Sequence, residues 1–512
     1  MDVTRADTEE VKIWLALAGM LLVFLWRFIA TRAALGLLIA LTLVAMLNYA
    51  RWGPRQVAVE INNYDLMHYY LATRYFDELG YYDLYPAALL VDQERGRYDG
   101  TIRRCRLQDQ DGYQLVPVSR CVARGRVVRA EHFSAERWAA FEHDFLYLQR
   151  SAKMSRRQWR EMIQDRGYNA TPAWVVLMKP LTSLVSVEAI KWLCWLDFVY
   201  LAIGLVALRW AYGVSTMLWC AFFLAVTYSL RWPMPTQVFS RYDWVAALMV
   251  AMACLRKGQP FVAGVLTGFS ALVRLFPAVW LFGPIAKGAA GLLRGGAWRK
   301  RIDRRLLTYA GGVLACVLVV ESAALLRFGS DAAVVHVENI TEHIRPEQLS
   351  SRRLGFALGY AYEGERLPKY ISVEKKQNIK EDAGERLPLV GLTLLALAWG
   401  LHKMRDDEVF AFGCIPFFLL ATASYYYYVA RITLIATHAS DLSRLRNRVG
   451  LALLLALEVF SNWAETAYPG HRVFLIGRLA WGLTAYVMVM VLWLGWERWR
   501  ANRVEQQHDP RQ

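Results

Sequence analysis

Long apolar runs alternate with short polar segments along most of the chain. Each run is close to the length that a helix needs to cross roughly 30 Å of hydrocarbon. The pattern therefore predicts an all-α polytopic membrane protein with about twelve to thirteen transmembrane helices. The runs lie near residues 34–50, 187–208, 214–230, 243–257, 306–326, 388–402, 408–424, 449–463 and 472–496, with two short spans in 259–290 and a weaker one in 426–440.

The apolar stretch at residues 12–30 contains Arg27 and has two interpretations. It is either a thirteenth span or a helix lying on the membrane surface. The acidic N-terminus lacks the basic region and the small-residue cleavage site of a removable signal peptide, so we expect the stretch to stay in the mature protein.

Two polar segments, residues 51–186 and 327–387, are too long to be simple connections between spans. Long loops with their own structure often carry function. We expect a first extracytoplasmic loop with an amphipathic helix and a small soluble insert, and a second structured extracytoplasmic loop. The predicted organisation is residues 1–50 N-terminal helices, 51–186 first loop, 187–326 transmembrane core, 327–387 second loop, 388–496 C-terminal helices and 497–512 cytoplasmic tail.

Basic residues give the chain a formal net charge of +16. In a soluble protein this would suggest nucleic acid, but here the cations fall in short loops between spans, where they indicate orientation. We therefore expect no nucleic acid partner. The densest loop, which we place in the cytoplasm, contains Arg294, Arg299, Lys300, Arg301, Arg304 and Arg305. With that loop inside, the two long segments face outward.

The first long segment has recognisable local patterns. From Asn62 to about Leu90, apolar residues recur at helical spacing, which indicates an amphipathic helix along the membrane surface. Residues 100–130 indicate a small β-hairpin. Ser134 is expected to cap a following helix, and residues 155–165 to form another. Residues 168–181 are short of a full span and predict a half-buried or re-entrant piece.

Cys105 and Cys121 lie in this segment, unlike the other five cysteines, which sit in apolar runs. They could close a disulfide across the hairpin if the compartment is oxidising. Free cysteines are the alternative.

Asp65 lies just beyond the first confident span. A carboxylate held there could accept a proton from an acceptor hydroxyl as that hydroxyl attacks a sugar carbon. A solvated aspartate or a helix N-cap is the simpler reading of a single such residue. Its neighbours Asn63, His68 and Tyr69 would then line an acceptor or sugar pocket.

Cations further along the chain could bind a phosphate. Arg274 separates two short apolar spans, and a cation inside a membrane is a functional candidate unless it reaches the headgroups. In the second long segment we favour Arg352 and Arg353, followed by glycines that permit close approach of a ligand, together with His336. A soluble charged loop is the alternative. Arg241 and Asp243 are expected to form a local ion pair at a helix start.

The order of these features resembles the membrane-embedded C-type (GT-C) glycosyltransferases that use polyprenyl-phosphate sugars, most closely glycosyltransferase family 87. The first matching pattern is an aspartate followed by a tyrosine-rich helix, a glycine and Leu-Tyr, here Asp65, Tyr69, Tyr70, Gly80, Leu84 and Tyr85. The later patterns match Tyr168, Thr171 and Pro172, and then Ala263, Gly264, Gly268 and Pro277 in AGVLTGFSALVRLFP. Two departures are that Arg274 replaces the family's usual lysine, and that the upstream Gly-Gln-x-Asn element is absent.

The resemblance implies an inverting transfer of a monosaccharide from a polyprenyl-phosphate donor to a lipid, glycan or protein acceptor, in a mannosyltransferase-like enzyme of the cell envelope. Asp65 would be the general base, and Arg274 with Arg352 or Arg353 would hold the phosphate. Tyr85 and Tyr425 would belong to the sugar pocket, although Tyr425 to Tyr428 also fit an aromatic belt at the membrane interface.

No cofactor and no metal are expected for such a transfer, since His336 and His343 lack a third ligand. The expected place is the bacterial inner membrane, with the site on the periplasmic face and membrane lipids as partners. A lipid or lipid-sugar flippase and a non-catalytic partner of envelope assembly are the alternative functions.

Overall fold

The computed structural model describes residues 5–53, 61–96, 100–110, 112–150, 154–231, 234–293, 303–344, 350–364 and 378–507. Within these ranges the chain is almost entirely helical, with two small antiparallel sheets. Arg294, Arg299, Lys300 and Arg301 of the predicted basic loop lie outside them.

Helices α1 to α10 occupy the N-terminal part and the first long loop. They are α1 (Arg5–Leu25), α2 (Thr31–Tyr49), α3 (Asn63–Leu66), α4 (Ala72–Arg74), α5 (Phe76–Leu79), α6 (Leu84–Arg95), α7 (Val118–His132), α8 (Ala135–Arg150), α9 (Arg156–Ile163) and α10 (Pro172–Leu184). A π-helical turn, Met67–Leu71, joins α3 to α4.

Helices α11 to α23 form the rest of the bundle. They are α11 (Ile190–Tyr212), α12 (Val214–Val226), α13 (Asp243–Arg256), α14 (Pro260–Arg274), α15 (Phe282–Leu293), α16 (Arg304–Ile344), α17 (Phe356–Tyr360), α18 (Ala383–Leu401), α19 (Asp406–Ala411), α20 (Cys414–Leu420), α21 (Ile432–Ala439), α22 (Leu445–Ala467) and α23 (Arg472–Gln507).

Seven helical segments in the described part of the chain are long and apolar enough to cross a membrane. The chain is therefore an all-α, multi-pass integral membrane protein. The larger number of spans stays a prediction, because most of the remaining apolar runs form shorter helices. The seven are Thr31–Tyr49, Val187–Tyr212, Phe276–Leu293, Arg304–Glu342, Ala383–Leu401, Leu445–Ala467 and Arg472–Val504.

Two helices of the bundle, α13 and α14, are short. Helix α13 has 14 residues and α14 has 15. At 1.5 Å per residue each rises about 21 to 23 Å, which is less than the hydrocarbon thickness. Helices α14 and α20 end in the wall of one cavity described below.

Helix α1 packs along α22 and buries Leu15, Leu22 and Val23. Its other face exposes Trp14, which is 66% accessible, and Leu21, which is 60% accessible. A helix lying on the membrane surface would present a polar face to water. The apolar outer face of α1 therefore favours a helix within the bundle over a surface helix.

The segment from Asn63 to Asp92 is more deeply buried than its sequence pattern indicates. Leu66, Tyr70 and Leu71 are fully buried, and the helix is broken into short pieces by the π turn. The predicted single amphipathic helix is therefore wrong, because the segment is broken into short pieces that are mostly buried, while its place at the membrane surface stays a prediction.

The insert after α6 is a small module of two strands and three helices. Strands β1 (Arg104–Asp109) and β2 (Gly112–Pro117) pair antiparallel, so the predicted hairpin exists but ends at Pro117. Residues 118–132 are helical, which corrects the predicted hairpin end at residue 130. Ser134 Oγ accepts from Arg137 N at 3.2 Å, so its capping role is confirmed, as is the next helix, α9.

The structure bonds Cys105 to Cys121, with 6.6 Å between their Cα atoms. The bridge joins β1 to α7 and does not cross the hairpin, because Cys121 lies beyond β2. Both residues are fully buried.

Replacing Cys105 and Cys121 by serine is expected to destabilise the module. The disulfide closes a loop between residues 16 positions apart. Closing a loop of this length lowers the entropy of the unfolded chain and contributes about 3 kcal/mol to stability. Limited proteolysis should then cut first within residues 100–130. The Cys316→Ala variant, in a membrane helix, should keep the wild-type cleavage pattern, and equal resistance in both variants would contradict the role of the bridge.

Candidate functional site

A cavity of about 490 Å³, here called the first cavity, lies where the ends of α14 and α20 meet the second loop. It brings together four of the residues predicted from sequence: Tyr69, Arg274, His336 and Arg353. The remainder of its wall is Asn169, Thr171, Val273, Leu275, Phe276, Ile340, Leu420, Ala421, Thr422, Ala423 and Tyr427.

Arg274 is the last residue of α14 and is 9% exposed. Its Nη2 donates to the carbonyl oxygen of Ser240 at 3.0 Å. The guanidinium lies over the ring of Tyr69, 4.9 Å from its centroid, and 5.8 Å from that of Trp174. Its Nε has no hydrogen-bond partner among the described residues. Arg274 is thus held inside the protein and does not extend to the headgroups.

Asp65 lies in α3, whose N-cap Asn62 accepts from the Asp65 backbone N–H at 3.4 Å. The carboxylate is 5% exposed, so Asp65 is not a solvated loop residue. Oδ1 accepts a hydrogen bond from Arg241 Nη1. Within the described ranges, Oδ2 is buried and has no hydrogen-bond partner. A proton could therefore be taken up on Oδ2.

Arg241 is the residue that links Asp65 to the first cavity. Its guanidinium lies 4.2 Å from the centroid of the Tyr426 ring, next to Tyr427 in the cavity wall. The predicted local pair between Arg241 and Asp243 is wrong. Asp243 instead accepts from Ser240 Oγ at 2.9 Å, because the turn before α13 directs Arg241 towards Asp65.

The turn before α13 is fixed by Asp197, a fully buried carboxylate in the middle of α11. Its Oδ1 accepts from the backbone N–H of Arg241 and of Tyr242, both at 2.8 Å, and its Oδ2 accepts from Arg241 N at 3.0 Å. Asp197 thereby positions the residue that holds Asp65 and the carbonyl that holds Arg274.

Backbone strain accompanies both arginines. Ser240, before Arg241, has φ 46°, and Leu275, after Arg274, has φ 53°. Positive φ is uncommon for residues other than glycine and costs of order 1 kcal/mol or more at each position. Such strain concentrates at functional sites.

The Asp197→Ala substitution is expected to lower activity at the site as well as stability. Three backbone hydrogen bonds lose their acceptor, which costs about 1–3 kcal/mol, and the turn carrying Arg241 loses its anchor. The matched control is Asn462→Ala, which removes a buried bond from Asn462 Nδ2 to Val226 O (3.0 Å) away from the site. Both variants should unfold at lower temperature, but only Asp197→Ala should lose binding of an anionic ligand at 25 °C.

His68 and Tyr85 do not line the first cavity. His68 Nδ1 donates to Tyr64 O at 2.8 Å, which leaves Nε2 to accept from the Tyr85 hydroxyl at 2.7 Å. The Tyr85 hydroxyl also accepts from Gly167 N at 3.2 Å. This chain of bonds ties α3 and α6 to the segment that leads into α10.

The Tyr64 hydroxyl strengthens the same connection by donating to Asp165. Burial, and then the Asp165 carboxylate, raise the pKa of Tyr64 well above its usual value. Burial also raises the pKa of Tyr85. Both hydroxyls therefore remain protonated donors at neutral pH. Asn63, next to Tyr64, is buried in the same layer and also does not line the cavity.

Arg353 and His336 form the part of the wall that comes from the second long loop. Arg353 Nη1 donates to Thr422 O at 3.3 Å. His336 is 4% exposed, and its ring lies 5.8 Å from that of Tyr81. A short sheet joins β3 (Arg353–Leu354) to β4 (Ala423–Ser424) and fixes this part of the wall.

Arg352 and Tyr425 lie beside the cavity and do not line it. The Tyr425 N–H donates to Arg352 O at 2.9 Å. The Tyr425 ring is buried against Tyr228, with 5.1 Å between centroids. In the described structure, the aromatic run at 425–428 therefore packs into the protein and places Tyr426 and Tyr427 at the site.

The described wall of the first cavity carries two arginines and no carboxylate. Desolvated guanidinium groups favour an anionic ligand. In the parts of the chain that the structure describes, no group of three or more His, Cys, Asp or Glu could hold a metal ion. Comparisons with protein-family models, with curated proteins and with solved structures give no match.

Proposed function

We propose that the protein is an inverting glycosyltransferase that moves a monosaccharide from a polyprenyl-phosphate donor to an acceptor hydroxyl. The observation that carries the proposal is the buried Asp65–Arg241 pair next to a cavity walled by Arg274 and Arg353. An available carboxylate oxygen and cations for a phosphate are the two groups that this transfer needs.

Asp65 Oδ2 accepts the proton of the acceptor hydroxyl in the proposed reaction. The hydroxyl oxygen bonds to the anomeric carbon from the side opposite the phosphate, as the bond from that carbon to the phosphate oxygen breaks. The electron pair of the broken bond passes to the phosphate, whose charge grows from one to two. Arg274 and Arg353 stabilise that charge, so no covalent intermediate with the protein is required.

Tyr69 connects the two halves of the proposed site. Its hydroxyl donates to Asn169 Oδ1 at 3.2 Å, and its ring supports the Arg274 guanidinium. Burial raises the pKa of Tyr69, while Arg274 and Arg241 lower it and Asp65 raises it. Tyr69 is thus in electrostatic contact with the proposed base and with both neighbouring arginines.

Two exposed leucines support a lipid-linked donor. Leu275 and Leu420 line the first cavity and are 44% and 56% accessible. Apolar residues at the mouth of a cationic cavity suit a ligand with an anionic head and a hydrocarbon chain. In the proposal the polyprenyl chain leaves the cavity over these residues, in the outer leaflet of a bacterial inner membrane.

Purified protein in lipid nanodiscs, given radiolabelled polyprenyl-phosphate mannose or arabinose and a membrane extract as acceptor source, tests the function. Transfer of label, or slow hydrolysis of the donor, is the expected result. The same protein in sealed proteoliposomes tests the alternative: movement of labelled lipid across the bilayer, without either reaction, would contradict the proposal and support a flippase.

A further inference from the structure

A second cavity, of about 520 Å³, lies between the first long loop and α16, close to its kink at Gly329 (φ 75°). It is separated from the first cavity by one layer of side chains. Tyr81 lines the second cavity and His336 lines the first, and their rings lie 5.8 Å apart.

The charges of the second cavity are nearly balanced. Its described wall contains three carboxylates, of Asp77, Asp83 and Asp331, and two guanidinium groups, of Arg124 and Arg327. The first cavity, in contrast, has arginines without carboxylates in its described wall. The second cavity therefore does not favour a phosphate, and suits an uncharged ligand with many hydroxyl groups.

The polar side chains of this wall are held by one another and still reach water. Arg124 contacts Asp83 with two bonds, Nε to Oδ1 at 2.9 Å and Nη2 to Oδ2 at 2.6 Å. Arg327 Nη2 lies 2.5 Å from Asp77 Oδ2. The Arg124 and Arg327 side chains are 39% and 51% exposed. Because these carboxylates and guanidinium groups are already held in place, their remaining lone pairs and N–H groups can bond to ligand hydroxyls with little further loss of side-chain entropy.

Aromatic rings supply the apolar part of the wall. Tyr82 and Phe328 are half-buried and line the cavity. Phe328 packs edge-on against Phe76, with 5.0 Å between centroids. The C–H face of a pyranose ring packs against such rings while its hydroxyls bond to neighbouring carboxylates and guanidinium groups.

We infer that the second cavity binds a neutral saccharide. Its assignment as a subsite for the non-reacting part of a glycan acceptor rests on the proposed transferase function, because Tyr81 and His336 separate it from the first cavity. Saccharide binding itself does not depend on that function.

Binding of full-length protein in nanodiscs to an array of neutral oligosaccharides of mannose, glucose, galactose and arabinose tests the inference. We expect wild-type protein to bind at least one oligosaccharide and Tyr82→Ala to bind it about tenfold more weakly. Tyr82→Phe keeps the ring and should bind normally. The matched control Tyr360→Ala, at an exposed tyrosine outside the cavity, should also bind normally.

Absence of binding by the wild-type protein, or equal binding by Tyr82→Ala, would overturn the inference. Saccharide binding that is lost in Tyr82→Ala, in a protein that transfers no sugar from any labelled donor, would refute the proposed function and leave the saccharide site standing.

Discussion

The Asp65→Asn variant is expected to lose on the order of a hundred- to ten-thousandfold in transfer rate, the usual contribution of a general base. The amide has the shape of the carboxylate but cannot take up the acceptor's proton. Donor binding should change little, because the phosphate contacts of Arg274 and Arg353 remain. Single-turnover transfer and donor binding, measured on the same preparation, separate the two effects.

Glu161→Gln is the matched control for Asp65→Asn. Glu161 lies in the same loop, is 53% exposed and pairs with Arg157 at 2.8 Å. Its neutralisation should leave transfer unchanged. The Asp65→Asn variant also leaves Arg241 without its partner, so its thermal unfolding must be compared with wild type. Full transfer activity in a folded Asp65→Asn protein would rule out the proposed base.

The Arg274→Ala variant is expected to lose about a hundred- to thousandfold in kcat/KM for the donor, the typical effect of removing one preorganised group that stabilises developing charge. The pocket loses the cation that Ser240 O and the Tyr69 ring hold in place. Arg274→Lys should recover only part of the loss, because an ammonium group cannot bond Ser240 and span two phosphate oxygens at once.

Arg209→Ala is the control for Arg274→Ala. Arg209 is an exposed arginine in the last turn of α11 and does not line the first cavity. Isothermal titration calorimetry with a soluble short-chain prenyl phosphate should detect no binding to Arg274→Ala and normal binding to Arg209→Ala. Equal affinity in both would exclude Arg274 from the phosphate site.

The helices of the bundle could be predicted from the sequence. A single apolar segment in hydrocarbon satisfies all its backbone hydrogen bonds internally only as a helix. A helical element stands at every predicted run. The lengths of the individual helices and the positions of their breaks were less predictable. Residues 408–424 are split between α19 and α20 at Gly413, which packs closely against Trp280, and residues 63–74 contain a π turn that includes Tyr69 of the cavity wall.

Part of the candidate site was predictable and part was not. Tyr69, Arg274, His336 and Arg353, which lie far apart in sequence, line one cavity. Arg241 was assigned to the wrong partner because its pairing with Asp65 spans 176 residues and leaves no local pattern. The anchoring role of Asp197 was hidden for the same reason. A buried carboxylate in an apolar run indicates that a partner exists, but not which one.

The short central helices have a consequence for the surrounding bilayer. Helix α14 exposes Phe261 and Val262 and rises only about 23 Å, which is less than the hydrocarbon thickness of a membrane. Lipids adapt to such a mismatch by local thinning, which draws their headgroups inward. If the proposed function holds, such thinning would bring the phosphate of a lipid-linked donor closer to Arg274 at the end of α14.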